Sequence, residues 1–316
     1  MIKNLSLPEF KNPGFDLSNG NDGNNSWTAK LIIALLVASI VIVNAFVIFT
    51  EGSYRVFFFN WTINLTSGIA LAITISLVLV NRRIQKIQQI QNNNTNPHIS
   101  STSFLFLYKT YVYLCVGLAL WFIAEILWTY YQIGLRINTP FPSIADAFWI
   151  SGYAFCIYFA FQRYKHLKIH LDEYLVIIVL VFLAFVVNFI VSATSLLSSN
   201  EEHNYANLLI SLAYPILDGI LFLPSFLIFL RFYSQRQRGL KIEPMFSHWL
   251  LISIAAIFLL IGDSGFAYVV ALDITTVIKE EWIWDMFYNV AYLSVSAASL
   301  LYVGFQGMTR NQKLAA

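Results

Sequence analysis

Five carboxylates stand inside or at the ends of long apolar stretches of this 316-residue chain: Glu125, Asp146, Asp218, Asp263 and Asp285. A charged side chain at mid-membrane costs about 2.5–3.5 kcal/mol on insertion scales, so such residues turn inward and tend to carry function. Each acid has aromatic or polar company three, four or seven residues away, a spacing that shares one helix face. Trp121, Glu125, Trp128 and Gln132 form one stripe, and Asp146, Trp149 and Tyr153 a second. Ser211, Tyr214, Asp218 and Ser225 form a third, and Asp285, Asn289, Tyr292 and Ser296 a fourth. If these faces converge they enclose carboxylates, phenols and indoles. Such a cavity suits a cation, an amine or a polar aromatic molecule, held by charge and ring faces. The expected ligand-binding set is therefore Glu125, Trp128, Asp146, Trp149, Tyr214, Asp218, Asp263, Asp285 and Asn289.

Structural roles compete with that reading at two of the acids. Pro142-Ser143-Ile144-Ala145-Asp146 is a good helix start, with Ser143 as N-cap and Asp146 as the capping-box acid. Asp285, after Glu281, fits a similar place. Glu125, Asp218 and Asp263 lie too deep in their stretches for capping, and Pro215, three residues before Asp218, frees backbone carbonyls there. Enzyme signatures are missing: there is no His-Glu-x-x-His, Gly-x-Ser-x-Gly, phosphate-binding glycine loop or Cys-x-x-Cys. Which cofactor or metal, if any, the site takes is not read from the sequence. His166 and His170 have a metal-compatible spacing, but they stand among Arg163, Lys165 and Lys168 and read as a basic collar at the membrane surface. Cys115 and Cys156 lie in apolar runs and read as core thiols. A metal-assisted intramembrane enzyme acting on lipid is left open by the paired carboxylates; a non-enzymatic role is preferred.

The elements that must position these acids are set by composition. The chain is 58% hydrophobic and 11% charged, with a mean hydropathy of +0.65; an ordinary soluble domain carries about 25% charge. The solvent is mostly lipid. The net charge of +2 leaves too few cations for a nucleic-acid partner. A membrane helix needs about 20 apolar residues, and eight stretches serve: roughly 31–50, 56–80, 105–132, 144–162, 174–195, 208–232, 248–272 and 283–305. The fold expected is all-α, with a polar segment at 1–29, a membrane domain over 30–306 and a short tail at 307–316. Sixteen of the 19 Lys and Arg fall on one side if the N-terminus is cytoplasmic, against Arg55, Arg136 and Lys279 on the other. Short basic loops stay inside. Both termini are then expected to face the cytoplasm, in a multi-pass protein of the plasma membrane. After Arg82 the second helix should project beyond the bilayer on Ile84, Ile87 and Ile90, then break at the Asn run 92–94 into a flexible loop.

The acids also recur in register. Asp146 opens DAFWISGYA and Asp285 opens DMFYNVAYL, each with Phe second, an aromatic third and Tyr seventh after the acid. Glu125 and Asp263 each have an aromatic three residues on and Tyr five on, and the acid-to-acid intervals are 21 and 22 residues. Ser67-Gly68-Ile69 sits in the second stretch much as Asp218-Gly219-Ile220 does in the sixth. A four-helix unit used twice, about 30–165 and 172–306, accounts for this.

The run WTYYQIGLRINTPFPSIADAFWISGYAF, followed by AYPILDGIL, GDSGFAY and WIWDMFYNVAYL, resembles the eight-helix membrane input region that precedes diguanylate cyclase or histidine kinase modules in some prokaryotic signalling proteins. The resemblance covers about 105–305 and implies a ligand-responsive input role, with Glu125, Asp146, Asp218, Asp263 and Asp285 at the family-like positions. Only about 11 residues follow the last helix, so a separate signalling partner or a second copy of the chain is expected to carry any output. The expected function is thus a membrane sensor or receptor for a small or cationic ligand in an outward-facing acidic aromatic cavity. A proton- or cation-coupled transporter is the alternative, suggested by the duplicated unit and Pro215.

Overall fold

The computed structural model describes residues 22–50, 53–95, 101–137, 142–166, 205–237, 243–271 and 281–315, with scattered helical positions between 175 and 190. Among these, seven α-helices run in order: α1 (Asp22–Phe49), α2 (Ser53–Thr95), α3 (Ser101–Thr129), α4 (Ile144–His166), α5 (Tyr205–Gln237), α6 (Glu243–Ala271) and α7 (Glu281–Ala315). An all-helical answer follows from lipid as solvent, because the backbone must then satisfy its own polar groups. Six segments are long and apolar enough to cross a membrane: Tyr54–Ile84, Lys109–Gly134, Ile144–Lys165, Leu212–Gln237, Phe246–Phe266 and Met286–Val303. Lys30–Phe46 is a shorter apolar helix. Of the expected stretch 174–195, only Leu175, Ile178, Val179, Phe182, Leu183, Val186, Phe189 and Ile190 are described, all helical; the rest of it, like residues 1–21, lies outside the described residues.

Helices α2 to α7 close into a ring. Each packs on its neighbours in order, from α2 on α3 round to α6 on α7, and α7 returns to α2; α1 stands outside, mainly on α7. Small residues set the closest approaches. A Cβ on Gly117 of α3 would collide with the Cys156 Sγ of α4, and one on Gly152 of α4 with the Trp121 indole of α3. On the other side of the ring, Gly265 of α6 is covered by the Trp284 ring and Gly262 by the Tyr288 ring, both of α7. Close backbone approach of this kind is what holds helices together where lipid supplies no hydrophobic drive between them. Between α2 and α7 the contact is polar: Thr66 Oγ1 donates to Asn289 Oδ1 at 2.8 Å, and the Thr74 and Ser299 hydroxyls meet at 3.3 Å. A second buried node ties α3, α6 and α7. The His248 Nδ1–H donates to the Ala298 carbonyl at 2.8 Å, which leaves Nε2 to accept from the Tyr111 hydroxyl at 3.0 Å.

Two local expectations need correction. The second helix does not break at the Asn run but continues through 92–94 to Thr95; nucleation costs nothing more once the helix exists, so weak formers are carried along. Gln132 does not continue the Glu125 stripe. A π turn at Tyr130–Gly134 ends α3, with the Leu135 N–H donating to the Tyr130 carbonyl at 2.9 Å. The wider turn brings Gln132 to α2, where Asn60 Nδ2 donates to its Oε1 at 2.7 Å. Arg136 then takes a left-handed φ of 54° as the chain leaves the turn.

The packing makes a direct prediction. Gly152→Val should lower stability by about 1–3 kcal/mol, the usual cost of overpacking a core, measured as thermal unfolding in detergent. Gly68→Ala should cost less, because its Cβ would meet only the Phe122 ring edge, at 3.2 Å.

Candidate functional site

Glu125 stands near the end of α3 and Asp146 at the start of α4, and Asp263 stands near the end of α6, beside the start of α7. The ring brings these ends together. A cavity of about 70 Å³ lies between them, and Glu125, Asp146 and Asp263 line it together with Trp128, Trp149 and Tyr214. Six of the nine expected site residues thus share one wall. Tyr153, Tyr288, Tyr292, Trp121, Trp284 and Phe266 add to its polar and aromatic part, with Asn60, Phe59 and Ile63 from α2. No Lys, Arg or His lines the cavity among the described residues.

The four acids whose side chains are described are buried, with exposures of 4% for Glu125, 2% for Asp146, 0% for Asp218 and 9% for Asp263. They are held by neutral donors. Trp149 Nε1 of α4 donates to Glu125 Oε1 at 3.3 Å, and the Tyr292 hydroxyl of α7 donates to the same oxygen at 2.7 Å. Asp263 is held from the same two helices, by the Tyr288 hydroxyl of α7 at 2.5 Å and the Tyr153 hydroxyl of α4 at 2.7 Å. Tyr153 and Tyr292 therefore reach across the ring, whereas Trp149 and Tyr288 each reach to the helix just before their own. Indole and phenol rings pack the wall, with Trp121 against Tyr153 at 5.0 Å between centroids and Trp128 against Trp149 at 5.5 Å. Such offset and edge contacts contribute about 0.5–1.5 kcal/mol each beyond burial.

Asp146 does both jobs that its position suggested. Its Oδ2 accepts from the Ser143 N–H at 2.6 Å and the Ser143 hydroxyl at 2.9 Å, which caps α4. Its Oδ1 accepts from the Tyr214 hydroxyl of α5 at 2.7 Å. Asp218 lies outside the wall, behind Tyr153, whose hydroxyl is 2.6 Å from Asp218 Oδ1 as well as 2.7 Å from Asp263 Oδ2. Asp218 Oδ2 is buried without a hydrogen-bond partner. Asn289 is not brought to the cavity; it faces α2 and is engaged by Thr66 and Thr62. The backbones of Asp285 and His166 belong to α7 and α4, but their side chains lie outside what the structure describes, and His170 lies outside the described residues. Among the described residues no group of three or more His, Cys, Asp or Glu could hold a metal ion.

The sequence stripes missed Tyr288, Trp284, Phe266, Leu259 and the α2 residues. Tyr288 is the aromatic third from Asp285 in the recurring pattern and could have been found there. Asn60 and Phe59 carry no local signal, since only ring closure places α2 beside α7 and α3.

The Tyr153 hydroxyl carries one hydrogen, and it lies within bonding distance of two carboxyl oxygens. Full two-centre bonds to both would need one further hydrogen, on Asp218 or Asp263. Infrared spectra of the purified protein should accordingly show the carbonyl stretch of a neutral carboxyl group, lost in Asp218→Asn; a wild-type spectrum without that band would contradict the count. Tyr153→Phe, which leaves both oxygens short of a donor, should cost about 1–3 kcal/mol of stability. No family model, no curated protein sequence and no solved structure matches the chain, so what this site does is argued from its own chemistry.

Proposed function

We propose that this chain is a sensor- or receptor-like membrane protein that binds a small monovalent cation, an ammonium-type group or an inorganic ion, between Glu125 and Asp263. One observation carries the reading: buried carboxylates line a cavity whose described wall holds indoles and phenols and no basic side chain. Unpaired carboxylates in a low dielectric are costly, and a cation in the cavity offsets that cost while ring faces add to its binding. A volume of about 70 Å³ holds a few waters or one small ion, and it argues against the polar aromatic ligand. A divalent metal held by three protein ligands has no suitable cluster among the described residues.

In this reading the domain has eight spans arranged as a unit of four used twice. Tyr214 near the start of α5 bonds Asp146 at the start of α4, and the shared sense of these two helices supports a return crossing between them at the expected stretch 174–195. The ring order supports the duplication, since α2, α3 and α4 correspond to α5, α6 and α7 in cyclic sequence. So do the paired bonds: Trp149 to Glu125 and Tyr288 to Asp263 within each half, Tyr292 to Glu125 and Tyr153 to Asp263 across them. Charge counting puts the cavity on the outer side and both termini in the cytoplasm. A cation that pulls on Glu125 and Asp263 then competes with both crossed bonds and alters the packing of one half on the other. A cytoplasmic partner, or a second copy, reads the change. The resemblance to signalling input regions agrees with this role.

A transporter is the second reading, favoured by Pro215 and Pro224 inside α5. Pro215, within one turn of Asp218, removes the helical donor from the carbonyl at 211 and so weakens the helix beside the acid pair.

Thermal unfolding of the purified protein with ammonium, methylammonium, sodium and potassium salts tests the proposal. At a hundredfold excess over Kd, stabilisation of about 2.7 kcal/mol is expected for at least one of these cations, and not for its counter-ion paired with a bulky cation. It should disappear in Glu125→Gln and Asp263→Asn. Stabilisation unchanged in both variants would contradict the site, and accumulation of the bound cation in proteoliposomes would decide for transport.

A further inference from the structure

A larger opening lies on the other flank of α7, away from the acids. It is a groove of about 590 Å³ between α1, α6 and α7. Leu36 and Ile40 of α1, Leu250 and Ile254 of α6 and Val290 of α7 give it an almost wholly apolar lining. The flanking Ile33 and Val37 of α1 are 41% and 54% exposed, so the groove borders the lipid-facing surface. Ser247 and Ser294 also line it, and one further polar group of its wall has a buried oxygen without a partner. Asn44 of α1 lines it, is 8% exposed, and its Oδ1 is buried with no hydrogen-bond partner. In hydrocarbon no water is at hand to supply a hydrogen, and an unpaired amide oxygen there costs several kcal/mol.

We infer that this groove is a binding site for a single-chain lipid whose headgroup carries a hydroxyl or amide hydrogen, the chain lying along α1 and the donor reaching Asn44 Oδ1. The dimensions fit. From Ile33 to Asn44 the lining of α1 extends about 16 Å at ~1.5 Å per residue, roughly half of a ~30 Å hydrocarbon core, which is the reach of one leaflet's acyl chain. The chemistry fits as well: a diacyl lipid would leave one chain outside a slot bounded by three helices, and a bare alkane would leave Asn44 unpaired. Because α1 packs mainly on α7, a lipid seated between α1 and α6 adds to the packing of those two helices. This inference is independent of the cation site.

The full chain reconstituted in phospholipid vesicles would be labelled with a monoacylglycerol carrying a diazirine on its chain, and with the same probe O-methylated at both free hydroxyls. Labels should concentrate on the peptides containing Leu250, Ile254 and Val290. Leu36→Trp, which fills the groove, should cut that labelling about tenfold, equivalent to roughly 1.4 kcal/mol. Asn44→Leu should reduce labelling by the hydroxyl probe to the level of the methylated one, with the protein still folded by circular dichroism. Labelling spread evenly over all lipid-facing helices, labelling unchanged by Leu36→Trp, or cross-links that join two copies through α1 would each overturn the inference.

Discussion

The structure depends on hydrogen donors for acids whose cavity has no basic side chain among the described residues. Three buried carboxylates line the cavity and a fourth stands behind it, and in lipid an acid without partners would not be kept. Tyrosine is the residue that solves this, because it brings a single O–H on a large apolar body that can be buried at little further cost. Four phenols and one indole therefore converge on these acids. Each of these bonds joins two different helices, so satisfying the acids and closing the ring are one requirement.

The rest of the ring is arranged to let those side chains meet. Close contact of α3 with α4 at Gly117 and Gly152 brings Trp121 beside Tyr153 and allows the Trp121 Nε1 to donate to the Trp149 carbonyl at 3.0 Å. That bond fixes the turn of α4 that carries both Trp149 and Tyr153. The π turn after α3 does similar work on the α2 side. It hands Gln132 to Asn60, and Thr129 is shared between Asn60 and Asn64. A polar seam of short side chains thus holds α2 in the ring without charge, in keeping with modest, cumulative hydrogen bonding between membrane helices. At the opposite end of α3 and α6 the His248 node closes the bundle with every ring nitrogen engaged.

Much of this was legible in the chain. Hydropathy located the helices, and the acids were conspicuous because so few charges enter the spans. The i, i+3 and i, i+4 stripes placed Glu125 with Trp128 and Asp146 with Trp149 and Tyr153, since those positions lie on straight helix. Helical periodicity failed where the helix is not regular or where the partner is remote. Gln132 was lost to a π turn, and Asn289 shares a face with Tyr292 yet turns to α2, because a helix inside a ring buries more than one face. Asp146 could be read as a cap or as a site residue from its spacing; the two carboxyl oxygens do one each. That one tyrosine bridges Asp218 and Asp263 could not be read at all, since the three residues lie on three helices and meet only through ring closure.

In the proposed function, a cation lodged between Glu125 and Asp263 meets the charge of this acid-lined cavity. Thallium(I), a heavy monovalent ion, can be located directly by diffraction or by electron-microscopic difference density in the intact protein. The account predicts one strong peak inside the cavity, between Glu125 and Asp263 and against the rings of Trp128 and Trp149. A saturating soak that leaves the cavity without a peak, or that places the ion only at the exposed ends of the helices, would contradict it.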